Sequence, residues 1–185
     1  MKYFSLFCFL LFVNSNIFSQ ENELVPFIAK TISIANLRAQ PDGKSEKKET
    51  LKIGSNVYIF SENETDGYLK AIDIKSNKLG WIKSSAVKKI KDLPLSNSSG
   101  FQETGISAGS DTEISISNKS SSTITLIVGE NQFSLEPFST TNETTSNGTL
   151  LYTASAPGVI PSSGKYEFKK GYKYNWTFTI VTKRR

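Results

Sequence analysis

Between Tyr172 and Ile180 the chain alternates without a break. Tyr172, Tyr174, Trp176, Phe178 and Ile180 fall on one side, and Lys173, Asn175, Thr177 and Thr179 fall on the other. A period of two puts successive side chains on opposite faces of an extended strand. A helix would scatter the five large side chains around its circumference, so the run buries them together only as one face of a sheet. The rest of the chain has the same texture. Short alternating runs are separated by turn signals at intervals of roughly 8 to 12 residues, and no stretch keeps helical spacing. The expected fold class is all-β.

The N-terminus reads MKYFSLFCFLLFVNSNIFSQ. One basic residue, Lys2, precedes an apolar-leaning run from Tyr3 to Val13, and Ser19 offers a small residue for cleavage. The run is too short to cross about 30 Å of hydrocarbon as a helix. Residues 1–19 are therefore expected to be a signal peptide, and the protein to be exported, periplasmic or extracellular, with no transmembrane segment after cleavage. Removing them takes away Cys8, the chain's one cysteine, and the sequence has no histidine. A chain without Cys and His has no disulfide framework and no nucleophile or general base that depends on either residue. The usual zinc ligands are missing as well. No catalytic residue, metal or cofactor is expected.

The composition breaks once. From Asp92 to Asp111 the chain reads DLPLSNSSGFQETGISAGSD, rich in Ser and Gly, which reads as a flexible linker. Twenty coil residues would span on the order of 25 Å. The break sets off a first domain, residues 27–91, from a second, residues 112–182. The first is basic, with 13 Lys+Arg against 7 Asp+Glu. Within it TISIA alternates, SNVYIF puts Val57 and Ile59 opposite Tyr58 and Phe60, and KSNK joins GYLKAIDI to LGWIKS as a hairpin. Five short strands in so few residues fit a small barrel. The second domain offers about seven strands: EISIS, TITLIV returning through GENQ to QFSL, TLLYTASAPG, GKYEFKKG and the final aromatic run. This is the pattern of a β-sandwich.

Four pieces of the first domain, NLRAQPDGKSE, TLKIGSNVYIF, GYLKAID and LGWIKSSAV, resemble the bacterial SH3 domain family in order and spacing. The match lies at Asn36, Leu37, Arg38, Pro41, Gly54, Val57, Gly80, Trp81 and Ile82; Tyr68 stands where the family usually carries Trp. The C-terminal half resembles only uncharacterised exported bacterial β-domains. The first resemblance implies an SH3-like barrel over residues 30–90, with Leu37 as a core anchor, Pro41-Asp42-Gly43 as a loop tip and Arg38 bracing that loop. It further implies a non-catalytic envelope protein whose barrel recognises peptidoglycan, a peptide or another envelope protein. The ligand contacts it suggests are Tyr58, Tyr68, Trp81 and Lys83, with Phe60 beside them; for Trp81 simple packing fits equally well. Two alternatives stay open: an accessory or degenerate cell-wall hydrolase, and a carbohydrate-binding or adhesion sandwich, which would have to expose Trp176 or neighbouring tyrosines.

Other constellations read as surface. Ser-x-x-Lys occurs at Ser45/Lys48, Ser85/Lys88 and Ser162/Lys165, but in turns or strand ends, where nothing desolvates the lysine as a Ser–Lys pair needs. Glu62, Glu64, Asp66 and Asp73 loosely echo a calcium loop, yet Lys70 occupies a ligand position and strands flank it. The lysines of the first domain suggest an anionic partner. Export argues against nucleic acid and leaves wall polymer or lipid headgroups.

Overall fold

The computed structural model describes residues 25–96 and 100–180, so the expected signal peptide lies outside the described residues. The fold is all-β, and the described residues contain no α-helix. Seven strands build the first sheet: β1 (Phe27–Thr31), β2 (Ala35–Arg38), β3 (Lys47–Leu51), β4 (Asn56–Ile59), β5 (Tyr68–Asp73), β6 (Leu79–Lys83) and β7 (Val87–Asp92), with a 3₁₀ turn at Ser84–Ala86. In space they run β3-β2-β6-β5-β4-β1-β7. Ala29, Leu37, Leu51, Val57, Ile59 and Ile82, drawn from five of these strands, meet in a single apolar core, so the sheet curls around it.

There are seven strands here rather than the five expected, and one reason is that TISIA is not a strand. β1 stops at Thr31 and β2 begins at Ala35. The Thr31 N–H donates to Ser55 O at 3.0 Å and its carbonyl accepts from Gly54 N–H at 2.9 Å. Its hydroxyl donates to Lys52 O at 2.6 Å, and Ile32 N–H donates to Ala86 O at 2.9 Å. The chain is pinned at a corner, and Ile32 and Ile34 project outward. Gly54 makes the opposing turn at φ +83°, a conformation that disfavours any side chain. The loop after β2 closes as expected: Arg38 Nη1 donates to Ser45 O at 2.6 Å, bracing the Pro41-Asp42-Gly43 tip.

Eight further strands follow: β8 (Gln102–Ile106), β9 (Thr112–Asn118), β10 (Ile124–Val128), β11 (Asn131–Leu135), β12 (Thr140–Thr145), β13 (Gly148–Ser155), β14 (Ser162–Phe168) and β15 (Tyr172–Phe178). They form two sheets, β11-β10-β13-β14 and β12-β9-β15-β8. Ile114, Ile116 and Tyr174 from one sheet share a core with Leu126, Tyr152 and Phe168 from the other, which makes this half a sandwich. The aromatic face of β15 is the inner one. Tyr174 is fully buried, and Tyr172, Trp176, Phe178 and Ile180 pack against the same cluster. Where two strands would splay, Asn118 ties a corner: its Nδ2 donates to Ser122 O, Leu135 O and Glu136 O at 2.8–3.1 Å, and its Oδ1 accepts from Ser120.

The stretch 92–111 does not run as a coil throughout. Ser96 bridges to Gly164, Phe101 is buried in the sandwich core, and Gln102–Ile106 is the edge strand β8, paired with β15. The physical reason lies in Phe101. Its ring sits 4.4 Å from Trp176, 4.9 Å from Phe168 and 5.9 Å from Tyr152, and an aromatic side chain surrounded in this way holds the polar residues around it in place.

Candidate functional site

Hairpin register decides which side chains meet. On β5 and β6 Tyr68 lies opposite Lys83, Lys70 opposite Trp81, and Ile72 opposite Leu79. Directly opposed residues of an antiparallel pair, and those two apart, share a face. All six side chains therefore project from the outer side of the sheet, away from the core. Neighbouring strands extend the rows. Arg38 on β2 pairs with Trp81, and Lys70 Nζ lies 5.3 Å from the centre of the Phe60 ring, beyond the end of β4. Across the sheet this gives Arg38, Trp81, Lys70 and Phe60, cations alternating with aromatic rings, with Tyr68 and Lys83 alongside.

The close packing of β2 onto β6 depends on Gly80. A Cβ there would lie 2.6 Å from Arg38 O and 2.8 Å from Leu37 Cγ, so only glycine lets β2 approach and place Arg38 beside Trp81. The Tyr68 hydroxyl reaches the loop tip: a Cβ on Gly43 would stand 3.5 Å from it. Tyr68 and Trp81 are half-buried, Lys70 and Lys83 exposed. Among the described residues neither Lys70 nor Lys83 has an ion-pair partner.

The next row is closed. Tyr58 pairs with Ile72 and Ile28, and Tyr58 and Ile72 are fully buried although they belong to neither core. What covers them is the outer face of the sheet β11-β10-β13-β14. The Tyr58 hydroxyl lies 2.5 Å from Ser163 Oγ, which is 2.7 Å from Thr153 Oγ1. Asn77 Nδ2 donates to Thr125 Oγ1 at 3.1 Å, and Gly158 N–H donates to Ile74 O at 2.7 Å. Tyr58 is therefore not a free ligand contact. Burial pushes its hydroxyl above the usual tyrosine range, only partly offset by the hydrogen bonds to Ser163 and Thr153. Where the two halves part, Phe60 and Lys70 line a cleft of about 200 Å³ with Ile127, Leu151 and Tyr152.

Of the expected contacts, Tyr68, Trp81 and Lys83 come together on one open face, while Tyr58 serves the junction. Lys70 and Arg38 were missed as neighbours of Trp81. The signal was present: once KSNK is placed as the turn, the register follows, and with it the pairing of Lys70 with Trp81. Trp176 is half-buried, its ring packed 4.4 Å from Phe101 and 4.2 Å from Phe178. The acidic loop is dispersed. Glu62 pairs with Lys89 at 2.6 Å, whereas Asp73 is buried and accepts the Ser76 N–H at 2.8 Å. No family model, no curated protein and no solved structure matches the chain.

Proposed function

We propose that this chain is an exported, non-catalytic binding protein of the bacterial envelope, whose N-terminal half is an SH3-like barrel that takes peptidoglycan on the face carrying Tyr68, Trp81 and Lys83. The observation that carries the reading is the pairing of Tyr68 with Lys83 and of Lys70 with Trp81 on one open face. A wall polymer presents sugar rings beside carboxylates. Half-exposed aromatic rings offer stacking surfaces, and flanking lysines without ion-pair partners offer charge for the carboxylates. The buried junction covers the neighbouring Tyr58 row and leaves this one clear, so the role of the sandwich is then to support the barrel and present the recognition surface.

The test is co-sedimentation with purified peptidoglycan sacculi, comparing wild type with Trp81→Ala and Tyr68→Ala. Wild type is expected in the pellet. Each substitution is expected to weaken binding by about tenfold or more, the loss that goes with one aromatic anchor. Wild type remaining in the supernatant at low salt would remove wall polymer as the ligand. Retention of the same face for a peptide or an envelope protein would then be read by capture from envelope extract with the Trp81→Ala variant alongside.

A further inference from the structure

The corner that breaks TISIA leaves an apolar feature that neither the core nor the candidate site uses. Ile32, Ile34 and Ile53 are 55%, 70% and 67% exposed. They sit on two connections, one between β1 and β2 and one between β3 and β4. The hydrogen bonds of Thr31 to Lys52, Gly54 and Ser55 hold these connections side by side. Single exposed apolar residues are ordinary on a protein surface; three grouped at one end of a sheet are not. The segments themselves carry charge of one sign, and the nearest acids, Glu49 and Asp73, which line a cleft with Lys52, are each hydrogen-bonded to Ser76. Lys52 precedes Ile53, Lys30 precedes Thr31, and Lys88 stands opposite Lys30 across β1 and β7. The three segments that form this end, residues 30–35, 51–56 and 84–88, contain no Asp or Glu. Among the described residues none of the three lysines takes part in an ion pair.

We infer that this end of the N-terminal half is a docking surface for an anionic lipid bilayer. The isoleucines enter the headgroup–acyl boundary, and Lys30, Lys52 and Lys88 meet the lipid phosphates. Charge complementarity selects this occupant. An apolar tip alone would suit any greasy partner, but a tip flanked by three lysines, on segments that carry no acid, fits a surface that is apolar within and negative at its rim. The surface is separate from the Trp81 face, so docking on a membrane and wall binding do not compete for residues.

The test uses the chain from Gln20 onward, which contains every described residue and lacks the apolar leader, in co-sedimentation with vesicles. Wild type is expected to bind phosphatidylglycerol-containing vesicles and to bind pure phosphatidylcholine at least about tenfold more weakly. Ile34→Ser/Ile53→Ser and Lys52→Glu/Lys88→Glu should each reduce binding to the anionic vesicles by about tenfold or more, and raised salt should weaken it. Trp81→Ala should bind vesicles like wild type, which separates this surface from the proposed wall site. Because the substituted side chains are exposed, unchanged thermal melts are expected and are checked alongside. Equal binding to both vesicle types, or full binding by Ile34→Ser/Ile53→Ser, would overturn the proposal. So would a wild-type dimer that this variant converts to monomer, because the tip would then belong to a second copy.

Discussion

The Tyr58 hydroxyl and Ser163 Oγ, 105 positions apart in the chain, lie 2.5 Å from each other in a buried junction. Ser163 also meets Thr153 Oγ1 at 2.7 Å, so three hydroxyls satisfy one another where the curled sheet abuts the sandwich. Ile72 and Ile127 are buried at the same seam and belong to neither core. The two halves are therefore joined by side-chain packing and hydrogen bonds as well as by the connecting chain. Removing one partner leaves a buried group short of a bond, which costs about 1–3 kcal/mol. Ser163→Ala should destabilise the protein by that order in urea unfolding. Tyr58→Phe should cost less, because Ser163 keeps Thr153.

Tyr58 also predicts a pH dependence. Burial raises its pKa above the ordinary tyrosine value of about 10. The folded state thus holds this proton to higher pH than the unfolded chain does. The stabilisation is fully present below the unfolded pKa and is lost as pH rises through the folded one. Thermal melts from pH 8 to 11 should show stability falling above about pH 10. The fall should be shallower in Tyr58→Phe; the same slope in both proteins would place the alkaline transition at other tyrosines.

Asn77 sits at the hairpin turn with φ +60° and sends its Nδ2 to Thr125 Oγ1. Glycine tolerates that backbone conformation, so Asn77→Gly removes the bond across the junction without adding strain, at a cost of about 1 kcal/mol. Asn77→Ala should cost about 1 kcal/mol more, since alanine resists positive φ. Denaturant midpoints for the two variants separate the bond from the turn.

Phe101 and Phe138 make a matched pair. Phe101 is 5% exposed amid four aromatic rings, and Phe138 is 71% exposed. Phe101→Ala is expected to cost about 3–5 kcal/mol through the cavity it opens. Phe138→Ala should stay within about 0.5 kcal/mol. Equal effects would mean that residues 100–106 do not anchor the sandwich.

Gly80→Ala should cost about 1–3 kcal/mol, the usual range for an overpacked position, because its Cβ would press on Arg38 O and the Leu37 side chain. The strain falls on the contact between β2 and β6. Trp81 emission should therefore shift in the folded variant, and that spectral change is the measurement that distinguishes it from a general loss of stability.

Much of this could be read along the chain. The turn at KSNK, the split of Val57 and Ile59 from Tyr58 and Phe60, and the buried aromatic face of β15 are local periodicities, and local periodicity survives in a one-dimensional text. The linker misled because its composition is polar while one residue, Phe101, carries the packing. Composition averages over a window; a core position is a single side chain. TISIA misled for the opposite reason. Its alternation is real, but hydrogen bonds from Thr31 to residues over 20 positions away turn the backbone before the pattern can become a strand.

The division follows the range of the forces. Alternation and turn residues constrain each residue through its neighbours, and they are enough to make the chain all-β and to pair Tyr68 with Lys83 once a turn is set. Which outer rows stay open is a question of what another sheet covers. Tyr58 and Trp81 look alike as aromatic residues on outward strand positions. One is sealed by Ser163 and Thr153, the other left half-open beside Lys70, because the sandwich docks over one row and stops before the next. That choice rests on contacts between residues about a hundred positions apart, and no local pattern encodes it.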